Sequence, residues 1–148
     1  ATVTNVYRQA IDAYMADPEG YTLRREWIEE IGKAANRPLG TGFFIGKPGP
    51  EGHIYEPEEK PAPYDFAAVV VDYDPGSGVA TVEQRSPFKP GMEVEFVGPG
   101  GRSFKQRIGE ITDAEGVRLD VARHPLQHIR LKTEQPVEPY DLMRKKVH

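Results

Sequence analysis

From Tyr64 to Thr133 the chain repeats one pattern: a short strand-like segment, then a tight cluster of Gly, Pro, Asp or Ser. YDFAAVVVDY (64–73) and VATVEQR (79–85) flank DPGSG and read as a hairpin. MEVEFV (92–97) alternates, with Met92, Val94 and Phe96 on the inner face and Glu93 and Glu95 toward water. After GPGG, the segment SFKQRIGEI (103–111) turns Phe104, Gln106 and Ile108 inward and Lys105 and Arg107 outward. DAEG leads into VRLDV (117–121), with Val117, Leu119 and Val121 inward. QHIRLKT (127–133) sends Ile129 and Leu131 inward and His128, Arg130 and Lys132 outward. Consecutive short strands joined by tight turns form an antiparallel sheet, and its edges are best hidden by closing it. The expectation is a mainly β fold, a small antiparallel β-barrel of six or seven strands. Segment 64–73 is apolar on both faces at its centre and should be covered on both sides.

Upstream of the strands the period changes. Val3, Val6, Tyr7, Ala10, Ile11 and Tyr14 recur every three or four residues, the spacing of one helix face, and Asp17-Pro18 with Gly20 ends the run. A second helix is expected from Leu23 to about Ala35, with Leu23, Trp27, Ile28 and Ile31 as its stripe and Asn36-Arg37-Pro38 as its stop. The Val3/Tyr7/Ile11 stripe and Trp27 should be buried, since two short amphipathic helices are not stable alone. Between them and the sheet, TGFFIGKPGPEGH offers one short strand at Phe43–Ile45, and EPEEKPAP reads as a surface connection. The organisation predicted is a helical pair over 1–38 and a barrel over 39–146, together one accessory domain of a larger protein. No internal repeat is read.

Composition narrows the chemistry. At 148 residues the chain has the size of one domain, and its 15 Gly and 14 Pro fit a turn-rich β fold. It has no cysteine, which removes disulfides, thiolate metal sites and any cysteine nucleophile. No stretch is apolar enough for a transmembrane helix and no signal peptide is read, so no membrane partner and a cytoplasmic location are expected. A start at Ala rather than Met suggests a piece of something longer. The formal net charge is −4, unevenly spread. Residues 1–101 hold 9 Lys/Arg against 16 Asp/Glu, whereas residues 102–148 hold 10 against 7.

No catalytic set emerges. The serines are Ser77, Ser86 and Ser103, none in a nucleophile elbow. His124 and His128 stand four apart, but Pro125 interrupts the helix that would align them; His53 and His148 are remote in sequence. The glycine-rich stretches lack the Lys-Ser/Thr and the following helix of a phosphate loop. Glu93 and Glu95 share a face, which is better read as solvated strand than as a carboxylate pair. No cofactor or metal is expected. One constellation has functional content. Lys105, Arg107, Arg118, His128, Arg130 and Lys132 fall on the outward faces of successive strands, with Arg102, Arg123 and Arg144-Lys145-Lys146 as potential neighbours. On adjacent strands they would form a basic plate suited to phosphate. The competing reading is a mixed charged surface, because Glu110, Asp120, Glu134 and Asp141 are interspersed.

Several stretches together resemble the carboxy-terminal domain of the U-32 (collagenase-like) peptidase family: TNVYRQAIDAYMADPEGY, AANRPLGTGFFIGKP, VVVDYDPGSGVATVEQRSPFKPGMEVEFVGPGG, DVARHPLQHIRLK and PVEPYDLMRKK. The marks are Asn36 and Arg37 before Thr41-Gly42-Phe43, the Gly-Met-Glu-Val-Glu of 91–95, and Pro139-Tyr140-Asp141 with Arg144. The resemblance implies an attached amino-terminal catalytic domain that carries the family's cysteines. It also implies peptidase activity in some members and Fe–S-dependent tRNA or rRNA hydroxylation in others. None of those cysteines is present, so no family catalytic residue carries over to this chain. It further implies that this part is a non-catalytic lid or substrate-binding module, built like the barrels of translation factors. Its substrate, peptide or tRNA, stays open at this point, and the alternatives are an autonomous hydrolase or an oligomerisation module.

Overall fold

The computed structural model describes residues 2–35, 39–52 and 64–147. Asn36, Arg37, Pro38, His53, His148 and the EPEEKPAP connection lie outside the described residues. The chain divides into two compact units, Ala1–Pro63 and Tyr64–His148.

In the first unit α1 (Thr2–Ala16) and α2 (Arg25–Ala34) pack on each other. Asp17 accepts a hydrogen bond from the Gly20 amide at 3.0 Å and turns the chain after α1. Val6 and Trp27 are buried, and Trp27 contacts the Tyr21 ring, stacked at 6.4 Å, and the Arg24 guanidinium, 5.0 Å from its centroid. The rest of the stripe is a correction: Val3, Tyr7, Ile11, Leu23 and Ile28 are exposed. The strand expected at Phe43–Ile45 is a pair of turns, closed by Phe44 N–H to Thr41 O and Gly46 N–H to Phe43 O, with Phe44 93% exposed. Neighbouring Gly42 takes a φ of 54°, which breaks the extended run that a strand would need.

The second unit is an eight-stranded antiparallel sheet. Its strands are β1 (Tyr64–Asp74), β2 (Val79–Gln84), β3 (Glu93–Val97), β4 (Ser103–Arg107), β5 (Ile111–Thr112), β6 (Arg118–Leu119), β7 (His128–Lys132) and β8 (Leu142–Lys146). The spatial order is β4-β3-β8-β1-β2-β7-β5-β6. The mainly β class with two preceding helices is as the sequence indicated. The sheet wraps one core, in which Val70, Val82, Phe96, Phe104, Ile129 and Met143 meet, but no backbone ladder joins β4 to β6. Gln106 instead ties the edge strand β4 to the end of β7. Its Nε2 donates to the Lys132 carbonyl at 2.9 Å and its Oε1 accepts from the Glu134 amide at 2.9 Å. A glutamine side chain thus satisfies two backbone groups at the end of β7 that no strand of the sheet pairs.

Three expectations need revision. The segment around 117–121 pairs only at Arg118–Leu119, and Val117 is 60% exposed rather than inward. β1 is covered on both faces only at Ala67 and Ala68, where a bulge shifts its register; Phe66 and Val71 are exposed. LMRKK, not read as a strand and noted only for Arg144-Lys145-Lys146 as potential neighbours of the plate, is the interior strand β8. No described helix is long and apolar enough to cross a membrane.

A repeated device precedes β7 and β8, although no repeat was expected. In His124-Pro125-Leu126-Gln127 and Glu138-Pro139-Tyr140-Asp141 the fourth residue's N–H bonds the first residue's carbonyl, at 3.1 and 3.0 Å. Leu126 and Tyr140 have φ of 65° and 74°, the position where such a turn ordinarily takes glycine, with Pro before it. Each turn feeds a bulge. Leu126 N–H bonds Gln84 O while Gln84 N–H bonds Gln127 O; Tyr140 N–H bonds Val70 O while Val70 N–H bonds Asp141 O.

Candidate nucleic-acid interface

Strand alternation delivers the cations where the sequence placed them. Lys105 and Arg107 are exposed on β4, and His128, Arg130 and Lys132 on β7, while Phe104, Gln106, Ile129 and Leu131 point into the core. Register aligns part of the set in one row across the sheet. Asp72 stands opposite Thr81, Thr81 opposite Arg130, Arg130 opposite Thr112, and Thr112 opposite Arg118. The Gln106 link brings the other part alongside. Lys105 and Arg107 flank the glutamine that bonds Lys132 and Glu134, so β4 and the end of β7 border one seam. On the β3 side of β4 a groove of about 320 Å³ is lined by Gly91, Met92, Glu93, Arg107 and Lys146.

The face is not uniformly basic. Arg118 has Glu110 at 3.8 Å, and His128 Nε2 has Glu83 Oε2 at 4.0 Å. Lys105, Arg107 and Lys132 make no ion pair among the described residues. Arg130 lies close enough to Asp74 to contribute to that carboxylate's environment. Two flanking cations read as neighbours of the plate have other roles. Arg102 Nη2 bonds Asp141 Oδ1 at 3.0 Å, tying the second turn to the β3–β4 connection. Arg144 Nε bonds Glu95 Oε2 at 3.0 Å, and its guanidinium lies 5.0 Å over the Tyr64 ring. Glu95 is therefore 6% exposed rather than solvated, which corrects the reading of Glu93 and Glu95 as two water-facing carboxylates. Lys146, read from the sequence as a potential neighbour of the plate, lines the groove with Arg107. Ser77, one of the three serines, donates its hydroxyl to Asp74 Oδ2 at 2.5 Å within the β1–β2 turn.

That turn sets one testable pH dependence. The Ser77 hydroxyl, the Gly76 amide and, more weakly, the Arg130 charge hold the Asp74 carboxyl below its ordinary value. A depressed folded-state value contributes stability above the ordinary range, which is lost as pH falls through the lowered value. Asp74→Asn should therefore lower the melting temperature most above about pH 4, and the two melting curves should converge in stronger acid. Parallel pH profiles would remove Asp74 as a stabilising charge.

The first unit carries a different surface. Between α1 and α2 an apolar groove of about 370 Å³ is lined by Tyr7, Ile11, Tyr14, Leu23, Trp27 and Ile28, among others.

An antiparallel sheet wrapped round one core and a separate helical unit make up this chain. Residues 62–144 match the model of the peptidase family U32 C-terminal domain, and residues 1–54 match that of peptidase family U32. The chain belongs to peptidase family U32. It is 46% identical over 145 residues to the tRNA hydroxylation protein P1 of Bacillus subtilis (strain 168), covering 98% of this chain and 34% of that protein. The chain thus spans about a third of that relative's length. Two crystal structures of the C-terminal domain of a Geobacillus thermoleovorans U32 peptidase resemble it. The selenomethionine variant has 52% identity and a TM-score of 0.53, over 55% of this chain and 99% of that one. The other has 51% identity and a TM-score of 0.54, over 56% and 93%.

Proposed function

We propose that this chain is a non-catalytic, tRNA-engaging part of a U32-family RNA-hydroxylation enzyme of the cytoplasm. Its outward face of Lys105, Arg107, Arg118, His128, Arg130 and Lys132 meets the phosphate backbone. The observation that carries the reading is the Gln106 link, which sets the cations of β4 beside those of β7 on one exposed surface. The likeness to a tRNA hydroxylation protein supplies the substrate class. Catalysis belongs to the attached domain, for which the α1–α2 groove is the docking face. Support for that comes from the match of residues 1–54 to the U32 model, distinct from the C-terminal one, and from the two thirds of the relative that this chain does not cover.

The test is a titration of labelled tRNA at two salt concentrations with wild type and Arg107→Glu/Arg130→Glu. Each phosphate contact adds roughly −0.7 to −0.9 to the slope of log affinity against log salt. Wild type should show a steep slope and the double reversal little binding, with the sheet still folded because both side chains are exposed. Equal affinities, or no salt dependence, would refute the RNA reading. Mildly salt-sensitive binding of a peptide instead would favour strand addition at a sheet edge.

A further inference from the structure

Tyr140 occupies a position the backbone reserves for glycine. Its φ is 74°, in the left-handed region that costs an L-residue with a side chain. The conformation is fixed from several directions. Asp141 N–H bonds Glu138 O at 3.0 Å, Glu138 N–H bonds Asp141 Oδ2 at 2.9 Å, and Tyr140 N–H bonds Val70 O at 2.8 Å. Asp141, almost wholly buried, is itself held by Arg102 at 3.0 Å. The turn is thus rigid with or without the tyrosine side chain. The ring gains nothing from it, because Tyr140 is 86% exposed, more than any other described tyrosine. A large aromatic is carried at a strained position and packs on little of this chain. Strain retained at a rigid, exposed point is a mark of a contact made with something else.

We infer that Tyr140 is a stacking platform for an unpaired nucleobase of the RNA held on the basic face. The inference rests on the proposed RNA binding. Tyr140 N–H bonds the Val70 carbonyl of β1, two residues before Asp72, the end of the row that continues through Thr81 to Arg130. At about 4.8 Å per strand, three strand spacings separate the tyrosine's strand from that of Arg130. That is the reach of a few nucleotides. A base stacks on an aromatic face without regard to its identity, while cations beside it follow the backbone.

The experiment uses the full chain, with Tyr140→Gly and Tyr140→Phe, and two labelled probes: an unstructured RNA oligonucleotide and a duplex of the same length. Tyr140→Gly should bind the single strand about tenfold more weakly. Its salt slope should be unchanged, because stacking neutralises no phosphate. Duplex binding should not move. Its melting temperature should stay level or rise, because glycine suits the turn. Tyr140→Phe should bind as wild type does. Wild-type affinity in Tyr140→Gly, alongside loss in Arg107→Glu/Arg130→Glu, would overturn the platform and leave the basic face standing. No RNA binding by wild type would overturn both. Loss of affinity for an unstructured peptide, with RNA binding intact, would assign the ring to a protein ligand and overturn the inference.

Discussion

Arg144→Met is expected to lower the unfolding free energy by about 3–5 kcal/mol, because it leaves the Glu95 carboxylate buried without its counter-charge. The pair is enclosed: the Arg144 and Glu95 side chains are 9% and 8% exposed, and Arg144 Nε lies 3.0 Å from Glu95 Oε2. It joins β8 to β3 on the outward face, opposite the side on which Met143 meets Phe96. A second variant separates the pair from mere packing. Glu95→Leu with Arg144→Met should recover most of the loss, since a buried ion pair replaced whole by apolar side chains is often neutral or better. Urea unfolding of the three proteins measures both effects as shifts of midpoint at constant slope. A loss below about 1 kcal/mol for Arg144→Met would mean the pair behaves like a solvated surface bridge.

Phe88→Ala should cost a comparable amount, about 3–5 kcal/mol. Phe88 lies outside every strand, in the connection from β2 to β3, yet it is among the largest fully buried side chains. Backbone bonds in both directions with Ala122, at 3.2 and 2.9 Å, hold it there as an isolated bridge. Truncation removes the ring but not the bridge, so the surroundings cannot collapse to fill the space. Phe88→Leu should restore about half of the loss. Thermal melts of the two variants are the check; a melting temperature within experimental scatter of wild type for Phe88→Ala would show that the core repacks.

Where the sequence could be read, a two-residue period was visible over a single segment. β4 and β7 alternate cleanly, and their exposed cations followed from it. β8 did not announce itself because one of its inward positions is Lys145. That side chain donates its ammonium to the Pro87 carbonyl, 58 residues away in sequence, so an inward position reads as charge. Glu95 faces outward as alternation requires, and only a partner 49 residues distant removes it from water. In the helices the period was right, but the coverage of the stripe depends on surfaces that no period encodes. The seam was illegible for the same reason: Gln106 was placed inward, but nothing local says that its amide reaches the backbone at Lys132 and Glu134. The turn before β8 was not read from the sequence. Pro139 is a residue type that turns favour, whereas a tyrosine after it gives no hint of positive φ, which residue type alone assigns to glycine.

The position of β8 bears on how such a domain can be made. It is the last strand in the chain, yet it lies between β1 and β3. Without it the backbone ladders fall into two pieces, the β3–β4 hairpin and the β1-β2-β7-β5-β6 sheet, each with an unpaired edge where β8 belongs. During synthesis, which adds about 5–20 residues per second, neither piece has its partner strand until residue 146 has left the ribosome. Cooperative folding therefore waits for the end of this stretch, and the nascent chain meanwhile presents two open strand edges. A chain cut short before Leu142 would be lost as a whole domain rather than as a trimmed tail, and quality control would meet it as an aggregation-prone, half-paired sheet.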